Sequence, residues 1–199
     1  DARRMVNFWA DQGATSFKAY MNISRDELRA VVEEAHKRGL KVTGHLCSIG
    51  YREAAEIGID NLEHGLFADS EFVADKKPDQ CPGAAVGASL RQLDLNSPAV
   101  KETIRTLVDK KVAITSTLPV FEAGGAPLSQ SGIGASSALM NPRVFAVMST
   151  DARVRYLTAR ARVSSTSDFL TLLRKGMDFE RAFVAAGGLL IAGLDPTGN

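Results

Sequence analysis

Apolar and polar positions along the chain switch between two periods. Met5, Val6, Phe8 and Trp9 fall at helical spacing within Ala2 to Gln12, and Gly13 ends the run. Thr15 to Tyr20 then reads as a short strand. Ser24-Arg25-Asp26-Glu27 is a capping box, in which the serine accepts an orphaned N–H and the glutamate returns to the cap. It opens a helix with Leu28, Val31, Val32 and Ala35 on one face, closed by Gly39. Leu40 to Leu46 is the next strand, Arg52 to Ile57 a brief helix stopped by Gly58, and Asp60 to Glu63 another short strand. Each strand follows a helix through a tight glycine turn. That is the rhythm of a parallel α/β sheet with right-handed crossovers.

From Ala68 to Asn96 the rhythm breaks, and no long clean period survives. This stretch is expected to be an insertion or lid over one face of the sheet, with a short helix near Ser70 to Val73. Ser97-Pro98 is a good helix start, with proline at the first helical position. Lys110 and Lys111 stand at the end of that helix, where cations suit its dipole. Val112 to Leu118 is a strand. Ala123 to Ser137 is rich in glycine and serine and reads as a long loop. Pro142 to Ala186 is mostly helical with a break around Ser164 to Ser167, and Met177 opens the last helix. Leu189 to Gly193 is the last strand. Five parallel strands can form an open sheet or five staves of an eight-stranded barrel, and the strand pattern alone does not choose.

Composition narrows the function classes. The 199 residues are 45% apolar and 24% charged, with a formal net charge of +1, so no broad field favours nucleic acid or an anionic membrane. No apolar run is long enough to span a bilayer. Two cysteines, Cys47 and Cys81, are too few for a disulfide framework, so a reduced, cytoplasmic chain is the default expectation and an exported one stays open. Both are read as thiols, with Cys47 packed. The glycines of GGAP and SGIG are loop glycines without the strand-to-helix context of a dinucleotide or phosphate loop.

The choice of architecture comes from polar residues at strand ends, where a β/α barrel gathers its functional groups. Lys18 lies late in the first strand, His45 ends the second, His64 ends the third, and Asp195 follows the last. Taken singly, a strand-end histidine is more often a structural hydrogen-bonder. A barrel strand buries both faces, so Lys18 calls for a chemical reason, because an unpaired buried ammonium is costly. Addition of carbon dioxide would turn it into a carboxylate able to bridge two cations. His45 and His64 suit zinc or a similar first-row ion, and Asp195 can ligate a metal and accept a proton from water. His36, before Lys37-Arg38-Gly39, reads as a helix-end surface residue.

With SFKAYMN, AHKRGLKVTGHL, AAEIGIDNLEHG and LLIAGLDPTG in place, the chain resembles the amidohydrolase superfamily of metal-dependent hydrolases. The branch it resembles is the imidazolonepropionase-like and Xaa-Pro dipeptidase-like one. The resemblance implies strands four to eight of a partial TIM-type (β/α)8 barrel. It also implies one or two zinc-like ions, with Lys18 as the carboxylated bridge and His45 and His64 on the more exposed metal. Asp195 would lie on the more buried metal and act as general base and acid. The family's His-x-His pair of strand one is absent, since the only histidines are 36, 45 and 64. The chain therefore reads as a fragment whose exposed sheet edges invite a homo-oligomer or the missing barrel portion.

The expected activity is hydrolysis of an amide, dipeptide or cyclic amide, with a small-molecule or peptide-like substrate. Alternatives are an inactive barrel fragment with an assembly role, a deaminase relative, and an ester or phosphoester hydrolase. The deaminase reading is weakened because Cys47 and Ser48 follow His45 where a His-x-x-Glu would be expected. Tyr20 and Arg52 are candidate substrate contacts, with rim packing and a plain surface role as their ordinary readings.

Overall fold

A computed structural model describes residues 1–125, 142–161 and 169–195. The described elements are helices α1 (Ala2–Asp11), α2 (Arg25–Lys37), α3 (Tyr51–Ile57), α4 (Ala85–Gln92), α5 (Pro98–Asp109), α6 (Leu118–Gly125), α7 (Pro142–Val147), α8 (Thr150–Ala161) and α9 (Phe169–Ala185). The strands are β1 (Ser16–Ala19), β2 (Lys41–Gly44), β3 (Asn61–Glu63), β4 (Ala113–Ser116) and β5 (Leu190–Ala192). The chain divides into two compact units, residues 1–116 with 178–192, and residues 117–177 with 193–199.

The first unit holds the whole sheet. All five strands are parallel, and their order in the sheet is their order in the chain. A doubly wound sheet reverses its strand order at a switch point. Here nothing reverses. Right-handed crossovers that always step in one direction put the connecting helices of this unit, α2, α3 and α5, on one face and leave the other face for the barrel interior. The fold is thus five staves of a partial β/α barrel.

Sequence patterning fixes which face is which. Val42, Leu62 and Ile114 are fully buried at the centres of β2, β3 and β4. Their neighbours in the pleat, Thr43, Asn61, Glu63 and Thr115, are polar, half-buried, and point the opposite way. The helical layer supplies Leu28, Val31, Val32 and Ala35 of α2, Ala54 and Ala55 of α3, and Val100, Ile104 and Leu107 of α5. The expectation that barrel strands bury both faces does not hold in this chain. Its inner face is polar and partly open, and the Lys18 side chain is 47% exposed.

The caps form as read. Ser24 accepts from the Glu27 N–H and the Glu27 carboxylate accepts from the Ser24 N–H at 2.9 Å. Ser97 accepts from the Val100 N–H, with Pro98 at the first helical position. Other expectations need correction. No helix forms at 70–73, where the chain turns. A 3-10 turn, Gly65–Ala68, precedes it and α4 follows it. Residues 123–125 are helical, as the end of α6, and the remaining predicted loop, 126–137, lies outside the described residues, as does the break at 164–167. α9 starts at Phe169 rather than Met177.

A larger correction concerns the cysteines. Cys47 and Cys81 are joined by a disulfide across 34 residues, with their Cα atoms 4.8 Å apart. Neither is a free thiol. The bond ties the segment after β2 to the stretch between the 3-10 turn and α4. Ser48 adds to the same seam: its N–H donates to the Met21 carbonyl at 2.8 Å, and its carbonyl accepts from Lys76 Nζ at 2.5 Å. The loops after β1, β2 and β3 are thereby stitched together at the C-terminal end of the sheet. Among the described residues no helix is long and apolar enough to cross a membrane.

Candidate functional site

The site is built by register. Lys18 pairs with Thr43, Thr43 with Asn61, and Glu63 with Thr115, so side chains from four consecutive strands share the inner face. His45 follows β2 directly, its N–H donating to the Ala19 carbonyl at 3.1 Å. His64 follows β3 directly, its N–H donating to the Thr115 carbonyl at 3.0 Å. The backbone of His64 is left-handed, with φ 72°, and the residue is buried. That conformation is uncommon outside glycine and carries a local cost of about 1–2 kcal/mol. Such strain persists only where the surroundings enforce it, and it clusters at functional positions.

The two imidazoles meet. His64 Nε2 and His45 Nδ1 are 3.0 Å apart, and the ring centroids are 4.2 Å apart. Tyr20 stacks edge-on against His45 at 5.0 Å, and Lys18 Nζ sits 5.9 Å from the Tyr20 ring centre. Lys18 Nζ is 2.6 Å from Glu63 Oε2, and the same oxygen is 3.8 Å from His64 Nε2. Of the four residues singled out from sequence, Lys18 and His64 therefore flank one carboxylate, and His45 joins them through its contact with His64. The fourth, Asp195, follows β5 by three residues, in the second unit, with φ 45°. His36 stays apart from the gathered groups, hydrogen-bonded to Asp60 at 2.8 Å near the end of α2.

Glu63 is a member of this cluster that the sequence reading does not single out. It stands inside NLEHG, and its alternation with buried Leu62 was the available signal: a carboxylate on the inner face beside a strand-end histidine. Its second oxygen accepts from Thr43 Oγ1 at 3.0 Å. Arg52 is a structural residue, paired with Glu71. It lines a cleft of about 590 Å3 with Arg25, Glu53, Glu71 and Lys76, and that cleft includes none of the gathered groups. Arg25 there pairs with Glu53 and Asp79, so these charges largely satisfy one another.

Two buried side chains, Tyr51 and Glu180, pack against the histidine turn. Tyr51, fully buried at the start of α3, holds its hydroxyl 2.7 Å from the carbonyls of both Glu63 and Gly65. Glu180 of α9 is buried against Gly65, and burial raises its carboxyl above the ordinary range while a hydrogen bond with Ser116 opposes that. A Cβ on Gly65 would lie 2.7 Å from Glu180 Oε1, at a backbone φ of 53°. Gly65→Ala is therefore expected to destabilise the fold by about 1–3 kcal/mol, through left-handed strain and overpacking together. In a Glu180→Ala background the penalty should shrink to the strain alone. Denaturant melts of the four proteins check this.

Asp69 ends the 3-10 turn and is fully buried. Its Oδ1 accepts from the Glu71 N–H at 2.9 Å, and burial, with Glu71 adding repulsion, raises the carboxyl from 3.8 to about 8. The folded chain thus holds a proton there that the unfolded chain releases. Its contribution to stability is present below the unfolded value and is lost as pH rises through about 8. Asp69→Asn is expected to flatten the fall in stability between pH 5 and 9 and to raise the urea midpoint at pH 9. Urea melts of both proteins across that range test the sign.

No family model matches the chain, and no curated protein matches it. Solved structures do. A bottromycin amidohydrolase superposes with a TM-score of 0.60 at 16% identity, over 98% of this chain and 40% of that one. Another amidohydrolase gives 0.52 at 18% identity, over 98% and 36%. An uncharacterized protein gives 0.53 at 15%, over 98% and 37%. The chain spans less than half the length of these neighbours, and at such identity the likeness is one of fold.

Proposed function

With the amidohydrolase barrel fold as premise, we propose that this chain forms part of a divalent-metal-dependent hydrolase acting on amide C–N bonds. The observation that carries the reading is the pair of ring nitrogens, His45 Nδ1 and His64 Nε2, facing each other at 3.0 Å at the ends of adjacent strands. Two nitrogens bound to one zinc at the tetrahedral angle lie about 3.3 Å apart, so the pair fits a zinc-like ion with little movement. When bound, such an ion polarises the scissile carbonyl and acidifies a water.

The residues take the following parts. His45 and His64 would hold the ion. Lys18 completes the group: its neutral amine adds to carbon dioxide, loses one proton and becomes a carbamate. A carbamate beside Glu63 would place two negative groups together, an arrangement that favours a cation between them. Asp195 accepts a proton from the attacking water and returns it to the leaving nitrogen. Tyr20, beside His45, borders the substrate. The substrate class is a dipeptide-like or cyclic amide. The chain has no His-x-His pair, so a second ion would lack histidine anchors here.

The half-exposed Met5, Phe8 and Trp9 of α1, together with β1 as an edge strand among the described residues, support association with further barrel strands or a second copy. The Cys47–Cys81 bond supports an oxidising compartment rather than the cytoplasm. The 68–96 insertion, tethered by that bond, would wall the substrate side.

The test is hydrolysis of a panel of dipeptides, N-acyl amides, cyclic amides, esters and phosphoesters by the protein with a full set of eight strands. Measurements are made with zinc and with chelator. Chelator-sensitive amide turnover that is lost in His64→Ala supports the reading. An inert zinc-loaded protein supports the assembly role instead, and preferred ester or phosphoester turnover moves the substrate class.

A further inference from the structure

Glu63 is more than a neighbour of the histidines. Its side chain is 15% exposed, and both of its oxygens are engaged. Thr43 Oγ1 donates to Oε1 at 3.0 Å. Thr43 is itself oriented, because Asn61 Nδ2 donates to its hydroxyl oxygen at 2.7 Å and leaves the hydroxyl proton for Glu63. Asn61 is oriented in turn by Thr115, whose hydroxyl donates to Asn61 Oδ1 at 3.0 Å. A one-way ladder of hydrogen bonds thus runs across three strands and ends on this carboxylate. An amide and two hydroxyls aligned to aim one carboxylate is a supporting shell of the kind that sets a ligand's geometry.

We propose that Glu63 is an oxygen donor to the divalent cation held by His45 and His64, set in place by Thr43 and Asn61. The inference rests on the metal reading above and adds a residue to it. Its distances bracket ligand spacing. Neighbouring ligands of one zinc lie about 3.3 Å apart, while His45 and His64 stand at 3.0 Å and Glu63 Oε2 and His64 Nε2 at 3.8 Å. Among the described residues no three such side chains already close on one point. Lys18, at 2.6 Å, draws the Glu63 oxygen the other way. A cation between the rings competes for that oxygen, and the 3.8 Å between Glu63 Oε2 and His64 Nε2 would close by about half an ångström to reach ligand spacing.

Equilibrium dialysis of the chain against zinc, with the visible spectrum of bound cobalt as a second readout, tests this. Glu63→Gln keeps shape and the Thr43 contact but removes the charge. It is expected to weaken zinc at least about 10-fold and to change the cobalt bands. Thr43→Val leaves the carboxylate and loosens its aim, and a smaller loss of about 3-fold to 10-fold is expected. Far-UV circular dichroism checks the fold, and if Glu63→Gln does not fold, Thr43→Val decides. If both variants bind zinc as the parent does while His64→Ala is weakened, Glu63 is not a donor and the metal reading stands. If His45→Ala and His64→Ala also bind as the parent does, the metal reading itself fails.

Discussion

Replacing His64 with alanine is expected to lower zinc affinity by at least about 100-fold, since loss of an outer-shell partner alone costs 10- to 100-fold. His64 supplies one of two facing nitrogens, and its left-handed backbone, its tie to Thr115 and its burial hold that nitrogen at 3.0 Å from His45. Alanine cannot replace the nitrogen. The remaining ring would bind as a single imidazole. His45→Ala should behave alike. His36→Ala, on the Asp60 contact near the end of α2, should leave zinc affinity unchanged. Isothermal titration with zinc distinguishes the three, and equal affinity in all of them would contradict the site.

Removing the Cys47–Cys81 bond is expected to cost about 3–4 kcal/mol of stability, the chain-entropy value for a loop of this length. The loop spans 34 residues and contains α3, β3, His64 and the 3-10 turn. Reduction therefore removes a tether that closes the loop carrying Glu63 and His64, while the pairing of β3 with β2 and β4 remains. Cys47→Ser with Cys81→Ser should melt earlier than the parent under oxidising conditions, and a reductant should lower the parent's midpoint without moving the variant's. A parent indifferent to reductant would show that the bond does not form in solution.

The elements whose signals are local were legible in the sequence. The Ser24 box and the Ser97-Pro98 start each rest on residues within one helical turn, and both form. β1 to β5 are found where the apolar runs lie, each trimmed at its ends, where fraying makes boundaries soft. His45 and His64 could be singled out because strand ends in a β/α barrel face one side.

What was not legible depends on long-range partners. The choice of barrel over open sheet rests on strand order, which no strand declares by itself. The disulfide joins residues whose pairing spacing cannot tell. Helix α4 reads AVGASLRQ, with a glycine inside and only Val86 and Leu90 buried, too little periodicity to announce a helix. Glu63 was hidden because a charged residue in a strand reads as solvated until the opposite pleat is known to hold buried Leu62. Lys18 is expected from sequence to be buried, whereas its side chain is 47% exposed and pairs with Glu63, so burial is no argument for its carbamate.

The measurement that bears most directly on the central claim is an anomalous difference map from crystals of the chain soaked in zinc. The expected result is a peak about 2.1 Å from both His45 Nδ1 and His64 Nε2, with a Glu63 oxygen drawn toward it. A map with zinc bound elsewhere, and the two imidazoles still in direct hydrogen-bond contact, would contradict it.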